Sequence, residues 1–193
     1  MTLDDYINRA SIILPEHKKE FASYLKKLPS GIEKWLYGTP DNQDSLYQGD
    51  ILIDLPVCFI DEDGDVVKGI DIVAMISNAC DMQIGRRETV IASPIITFSE
   101  YEKHLRLAGE KNINDRIMDI RHNNIFSRFY LPQAIKFPES FIDFSKMVTI
   151  NSTYANREYP EQRLLSLSQY GFYFFLIKLT FHFARMEYPS NQN

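Results

Sequence analysis

Apolar residues recur at helical spacing near the start of the chain. The stripe formed by Phe21, Tyr24, Leu25 and Leu28 predicts a helix over Pro15–Leu28, with proline in its first turn. Ser30 is placed to cap a shorter helix that follows. The polar, turn-rich stretch 38–45 then predicts a loop, so this helical part precedes the rest of the chain.

The middle of the chain alternates short apolar runs with turn signals, which is typical of strands. The predicted strands are Ile51–Leu55, Val57–Ile60, Asp71–Ser77 and Glu88–Ile96. Asp61–Asp65 contains Asp and Gly where a hairpin needs positive φ, so it is predicted as a hairpin turn. Residues 78–87 form a polar loop between the two longest strands.

The C-terminal part mixes helices with further short strands. Ser99 is predicted to cap a helix over Glu100–Ala108, and a second helix is predicted over Asn112–His122. Strands are predicted at Phe126–Leu131 and Lys146–Ile150, and Ser168 is predicted to cap a last helix that ends near Arg185. Strands and helices without regular alternation predict an α+β fold with a small barrel or strongly bent sheet.

Composition sets the domain organisation and the compartment. With 193 residues, we expect a helical appendage at 1–37 and one α+β domain at 46–193 that contains the barrel. The two cysteines give no disulfide framework, and no apolar run is long enough to span a bilayer. We therefore expect a cytoplasmic protein with no membrane contact.

Charge is unevenly distributed along a chain whose net charge is −5. Nine acids and a single base, Lys68, lie between Asp41 and Asp71. Such an acidic face repels or mimics RNA, or it binds a basic partner. The chain as a whole is therefore not a basic nucleic-acid binder.

Few residues carry a recognisable chemical signature. The acidic turn at Asp61–Asp65 lacks the glycine and glutamate spacing of a calcium loop, so we expect no metal and no cofactor. Cys80 and Asp81 follow a strand, and we expect a structural loop in which Cys80 is a small apolar plug and Asp81 accepts backbone hydrogen bonds. Lys178, His182 and Arg185 recur on one side of the last helix, which predicts a solvated face or a phosphate contact.

Three pieces between Tyr47 and Thr97 resemble the barrel core of the PemK/MazF-like toxins: Gly49–Leu55, Ile72–Asn78 and Val90–Thr97. The resemblance implies an SH3-like barrel of the PemK type and metal-independent cleavage of single-stranded RNA. It also implies that Thr97 stands at the position of the catalytic threonine. The family's transition-state arginine has no counterpart here, because Lys68 occupies that region and lacks a planar fork for phosphate.

A second resemblance is to uncharacterised prokaryotic proteins that carry a Ser-x-x-Cys-Asp loop and a Leu-x-x-Leu-Ser segment. The matching residues are Ser77–Asp81 and Leu164–Ser168. Such proteins are associated with mobile or defence loci, which is an analogy and not a mechanism.

Three functions remain open from the sequence. The first is a non-catalytic binding or regulatory component of a toxin–antitoxin or anti-phage system, which contacts single-stranded RNA through Lys68, Arg86, Arg87 and Thr97. The second is an endoribonuclease in which Arg86 or Arg87 replaces the missing arginine. The third is a protein-interaction subunit, which docks through its aromatic last helix and is prone to homo-oligomerise.

Overall fold

The computed structural model describes residue 11, residues 13–40 and residues 42–184, which form an α+β fold around an antiparallel sheet. The strands are β1 (Tyr37–Gly38), β2 (Ile51–Ile60), β3 (Val66–Met75), β4 (Thr89–Thr97), β5 (Arg128–Leu131), β6 (Ser140–Asp143), β7 (Val148–Asn151) and β8 (Arg163–Leu167). The α-helices are α1 (Pro15–Leu25), α2 (Ala79–Met82), α3 (Phe98–Leu107), α4 (Ile113–Arg121), α5 (Ser152–Gln162) and α6 (Gln169–Phe183). Two 3-10 turns cover Ile32–Lys34 and Phe144–Lys146. Within these described ranges, no helix is long and apolar enough to cross a bilayer.

The sheet is not closed. Its strand order is β1-β8-β2-β3-β4-β6-β5, and β7 pairs with β4 outside this path. The first half of β4 pairs with β7 and its second half pairs with β6, so the sheet divides along one strand. β7 also comes close to β2 without joining it in the ladder. The result is a barrel-like arrangement of β2, β3, β4 and β7.

Two apolar cores lie in this framework. The barrel-like strands enclose Leu52, Val73, Met75 and Val90 together with Tyr159 of α5. A larger core collects aromatic residues of α1, β5, β6 and α6, among them Phe21, Phe129, Phe141, Phe174 and Phe175. Residues of the predicted N-terminal appendage therefore share a core with the C-terminal helix.

The hairpin prediction is confirmed. The Asp61 carboxylate accepts the backbone N–H groups of Asp63 at 3.1 Å and Asp65 at 2.8 Å, and Gly64 has φ +87°. The strand before it was predicted as two pieces divided at Pro56, but β2 is continuous from Ile51 to Ile60. β8 pairs with β2 only at Ile51 and Leu52, so the edge of β2 at Pro56 has no neighbouring described strand on that side. A proline, which has no N–H to donate, is tolerated at such an edge.

The helix starts show one correct and two wrong cap assignments. Ser168 caps α6 as predicted, because its Oγ accepts the N–H of Gly171 at 3.0 Å. Ser99 does not cap α3; Thr97 does, in a capping box with Glu100. Gly31 in the left-handed conformation, rather than Ser30, precedes the first 3-10 turn. The sequence prediction missed β1, β6, α5 and β8, and it was wrong to make all of residues 78–87 a loop, because α2 lies there.

Lys178 corrects the prediction of a solvated basic face on α6. It is 4% exposed, and its Nζ donates to the carbonyls of Asn123 at 2.8 Å and Ile125 at 2.7 Å. Helix α6 is central and buried on most sides, so its polar residues cannot all face water. His182 packs its ring against Phe144, and Arg185 lies outside the described residues.

The burial of Lys178 predicts a pH dependence of stability. Burial lowers the pKa of Lys178 from 10.5 to about 8, so above pH 8 the unfolded chain holds a proton that the folded chain has released. The free energy of unfolding should rise from pH 8 upward by up to about 1 kcal/mol per pH unit relative to Lys178→Met. Urea titrations of both proteins at several pH values measure this difference. The exposed control Lys103→Met should keep the wild-type slope, and identical slopes in all three proteins would contradict the prediction.

Candidate functional site

A cleft of about 520 Å³ opens where the edge of the sheet meets the N-terminus of α6. Four separate segments line it: residues 38–40, residues 47, 48 and 50, residues 78–79, and residues 166–169, together with Phe172. Its volume lies in the range of small-molecule sites. The two short motifs noted in the sequence, at Ser77–Asp81 and Leu164–Ser168, both contribute to this one cleft.

Three glycines allow the walls of the cleft to approach closely. A Cβ on Gly171 would lie 2.1 Å from the carbonyl oxygen of Leu36, and one on Gly38 would lie 2.9 Å from the Cα of Ser168. Gly49 has φ +90° and packs against the side chain of Leu167. A side chain at Gly38 or Gly171 would push the segments apart, because the atoms it would meet belong to the backbone, so backbone contact sets the shape of the cleft.

Asp50 forms the floor of the cleft and is 1% exposed. Its carboxylate accepts the hydroxyl of Ser166 at 2.6 Å and the backbone N–H of Tyr47 at 2.9 Å. The guanidinium of Arg163 lies 3.7 Å from the same carboxylate. Burial raises the pKa of Asp50, while these hydrogen bonds and Arg163 act in the opposite direction. The carboxylate thus joins the start of β2 to β8.

Arg163 extends this network to the loop that precedes β2. Its guanidinium stacks on the ring of Tyr159 at 4.7 Å and donates to the carbonyl of Gln43 at 2.7 Å. The Tyr159 hydroxyl donates to the carbonyls of Gln43 and Ser45. Burial raises the pKa of Tyr159 to about 12, so it stays a donor at neutral pH. The loop predicted as a linker is therefore tied down at residues 43–45.

The lining of the cleft combines aromatic and neutral polar groups. Tyr47 and Phe172 are half-buried, and neither ring stacks on another described ring. The side chains of Thr39 and Gln169 and the hydroxyl of Tyr47 have no hydrogen-bond partner in the described part of the chain. Among the described residues of the lining there is no lysine, arginine or histidine, and Arg163 balances the charge of Asp50. The described residues also contain no group of His, Cys, Asp or Glu that could hold a metal ion.

The structure does not bring the four predicted RNA-binding residues together. Arg86 and Arg87 precede β4, whereas Thr97 ends it, so about 26 Å of extended strand separates the two places. Arg87 pairs with Asp81 at 3.2 Å, and Lys68 lies on β3 opposite Cys58. The Thr97 hydroxyl donates to the Glu100 carboxylate at 2.7 Å and accepts the Glu100 N–H at 3.1 Å. Thr97 therefore acts as a helix cap here.

The roles expected for Cys80 and Asp81 are also corrected. Cys80 is exposed and plugs no apolar space. Asp81 accepts side-chain donors, the amide of Asn78 at 2.8 Å and the guanidinium of Arg87 at 3.2 Å. Asn78 fixes the turn instead, because its Oδ1 accepts the backbone N–H of Asp81 at 2.9 Å. A strand followed by Asn is the sequence signal for this cap.

The sequence analysis missed Asp50, Ser166 and Arg163 as a unit. Asp50 and Ser166 are 116 positions apart, and neither stands in a catalytic or metal-binding pattern. The one available signal was the Gly49-Asp50 pair at the start of a strand, followed by an apolar run. This pair of residues marks a site only once β2 is paired with β8, and that pairing was not predicted from the sequence.

Replacing Asp50 should destabilise the fold. In Asp50→Ala the half-buried Arg163 guanidinium loses its ion-pair partner, and the Ser166 hydroxyl and the Tyr47 N–H lose their acceptor, which should cost about 3 kcal/mol of unfolding free energy. Urea denaturation measures the loss. The matched control Asp44→Ala removes an exposed carboxylate from the preceding loop and should stay close to wild type. Equal stability of the two variants would show that the network contributes little.

No protein-family model matches the chain. A comparison with curated protein sequences likewise finds no match.

Proposed function

We propose that the protein is a non-catalytic binding component built on an SH3-like barrel of the PemK type, and that the cleft above Asp50 is its ligand site. The observation that carries the proposal is the convergence of four distant segments on one preformed cleft. The resemblance to toxin and defence proteins suggests a regulatory place in such a prokaryotic system.

The barrel assignment is supported by the arrangement of four strands. β2, β3, β4 and β7 enclose their own apolar core, and β7 approaches β2 at the open side. The hairpin of β2 and β3 and the following β4 correspond to the three pieces of the resemblance. These features fit a small barrel with one incomplete seam.

Binding is favoured over catalysis because the charged groups at the cleft are committed to one another. Asp50 is held by Ser166, Tyr47 and Arg163 and has no exposed nucleophile beside it. Thr97 is engaged in a capping box far along β4 from Arg86 and Arg87. A ribonuclease needs its charged groups positioned around one phosphate. The described positions of Thr97, Arg86 and Arg87 do not place such charged groups around one phosphate.

The lining favours a small, neutral, planar ligand. Tyr47 and Phe172 offer aromatic surface for stacking, and Thr39 and Gln169 offer uncommitted donors and acceptors. The described lining residues include no basic side chain, which disfavours a phosphate group in the cleft. Nucleosides combine a flat ring with hydrogen-bonding edges, so they are suitable probes.

Nucleoside binding tests the site directly. Uridine, cytidine, adenosine and guanosine are titrated separately into the full chain and followed by calorimetry. We expect at least one to bind and Phe172→Ala to weaken it by about tenfold or more, because a stacking surface is lost. Phe59→Ala, which removes an exposed ring far from the cleft, is the control and should bind as wild type. Failure of all four nucleosides, or equal binding by Phe172→Ala, would overturn the proposed site.

The absence of catalysis is tested with RNA. A long, partly unstructured RNA incubated with the purified protein in EDTA should remain intact on a gel. Discrete fragments that disappear with Arg86→Ala or Arg87→Ala would identify a metal-independent ribonuclease and refute the non-catalytic proposal.

A further inference from the structure

The hairpin of β2 and β3 extends beyond the body of the protein as an arm, defined here as residues 56–70. No residue from Cys58 to Ile70 is buried. β8 pairs with β2 only at Ile51 and Leu52, and β4 pairs with β3 only from Val73 to Met75. The arm is therefore a two-stranded ribbon that no other described strand flanks.

The pairing of the two strands defines the faces of the arm. Pro56 pairs with Ile70, Cys58 with Lys68, and Ile60 with Val66, so these side chains share one face. We call this set the outer face: Pro56, Cys58, Ile60, Val66, Lys68 and Ile70. All six are exposed, and Ile60, Val66 and Ile70 are 72%, 62% and 74% exposed.

The opposite face of the arm is apolar too. Leu55 and Val57 on that side are buried in the barrel-like core, and Phe59 follows them toward the tip. A strand with one solvated face alternates apolar and polar residues, whereas a strand covered on both faces is apolar throughout. The arm has the pattern of a strand covered on both sides, yet its outer face is bare in the isolated chain. An isolated two-stranded ribbon is also only marginally stable in water.

The charge around the outer face indicates which kind of partner can cover it. The tip carries Asp61, Glu62, Asp63 and Asp65, and Lys68 is the one base in the arm. An anionic membrane surface would be repelled by this tip. A second copy packed face to face would bring tip acids against tip acids, or tip acids against Asp54 and Asp71 at the root of the arm. A partner with basic side chains faces neither penalty.

We propose that the outer face of the arm is a docking surface for a partner protein whose contact region is apolar at its centre and carries lysine or arginine at its rim. The apolar centre covers Ile60, Val66 and Ile70, and the basic rim meets the acidic tip. This docking surface is separate from the cleft and does not depend on the ligand proposed there.

The test uses two synthetic helical peptides as probes. Both present the same leucine face; the other face is lysine in one peptide and glutamate in the second. Binding to the full-length chain is measured by fluorescence anisotropy. We expect the lysine peptide to bind and the glutamate peptide to bind at least about tenfold more weakly. In a Cys80→Ser background, where Cys58 is the remaining thiol, the bound lysine peptide should slow the reaction of Cys58 with a thiol reagent.

Variants separate docking from general attraction between opposite charges. Ile60→Asp/Ile70→Asp adds negative charge, which strengthens non-specific attraction for lysine, so a loss of binding of about tenfold or more in this variant identifies the apolar face. Ile135→Asp alters an exposed isoleucine outside the arm and should bind as wild type. Glu62→Gln/Asp63→Asn/Asp65→Asn should weaken binding by removing three of the four negative charges of the tip.

Three outcomes overturn the proposal. One is that neither peptide binds, or that both bind equally well. Another is that Ile60→Asp/Ile70→Asp keeps full affinity for the lysine peptide. The third is a dimer in sedimentation velocity that this double variant dissociates, which would assign the outer face to a second copy of the chain.

Discussion

The close contact between the N-terminus of α6 and the end of the N-terminal segment holds the structure together. Ser168 donates from its backbone to Leu36 at 2.8 Å and from its hydroxyl to Trp35, while its Oγ caps α6 through Gly171. Gly171 lies against Leu36 so closely that even alanine would not fit. This contact sets the wall of the cleft and places the aromatic face of α6 in the larger core. The backbone at Trp35–Leu36 and the first turn of α6 are thus held in direct contact.

Some features determined by neighbouring residues could be predicted from the sequence. The turn at Asp61–Asp65 and the cap at Ser168 were correct, because each depends on residues only two to four positions away. Lys178 was wrong because periodicity shows which residues share a face but not what packs against that face. Its acceptors belong to a loop more than fifty residues earlier.

The cleft also could not be predicted from local sequence patterns. Asp50 meets Ser166 and Arg163 only because β8 lies beside β2, and β8 was not predicted from the sequence. Ser166 and Arg163 are ordinary polar residues in the sequence, and neither has a periodic or motif signal. Cys80 was expected inside because cysteine is often buried, whereas its short helix lies on the surface. Long-range pairing, rather than local propensity, brings Asp50, Ser166 and Arg163 together.

The arm and the cleft lie at opposite ends of the same two strands. β2 begins beside Asp50 and ends at the tip of the arm, and β3 returns from the tip to Asn78 at the cleft. A ten-residue strand spans about 30 Å, so the two surfaces are well separated. They are therefore able to be occupied at the same time.

An arm with unpaired edges also affects the chain before any partner is present. Free strand edges with apolar side chains are the usual nuclei of edge-to-edge aggregation. Pro56 on one strand, Lys68 on the other and the acids at the tip are the residue types that natural proteins use as gatekeepers against it. The acidic tip thus keeps newly made copies apart through mutual repulsion. At high concentration of the chain, this repulsion opposes pairing between the free edges of two arms.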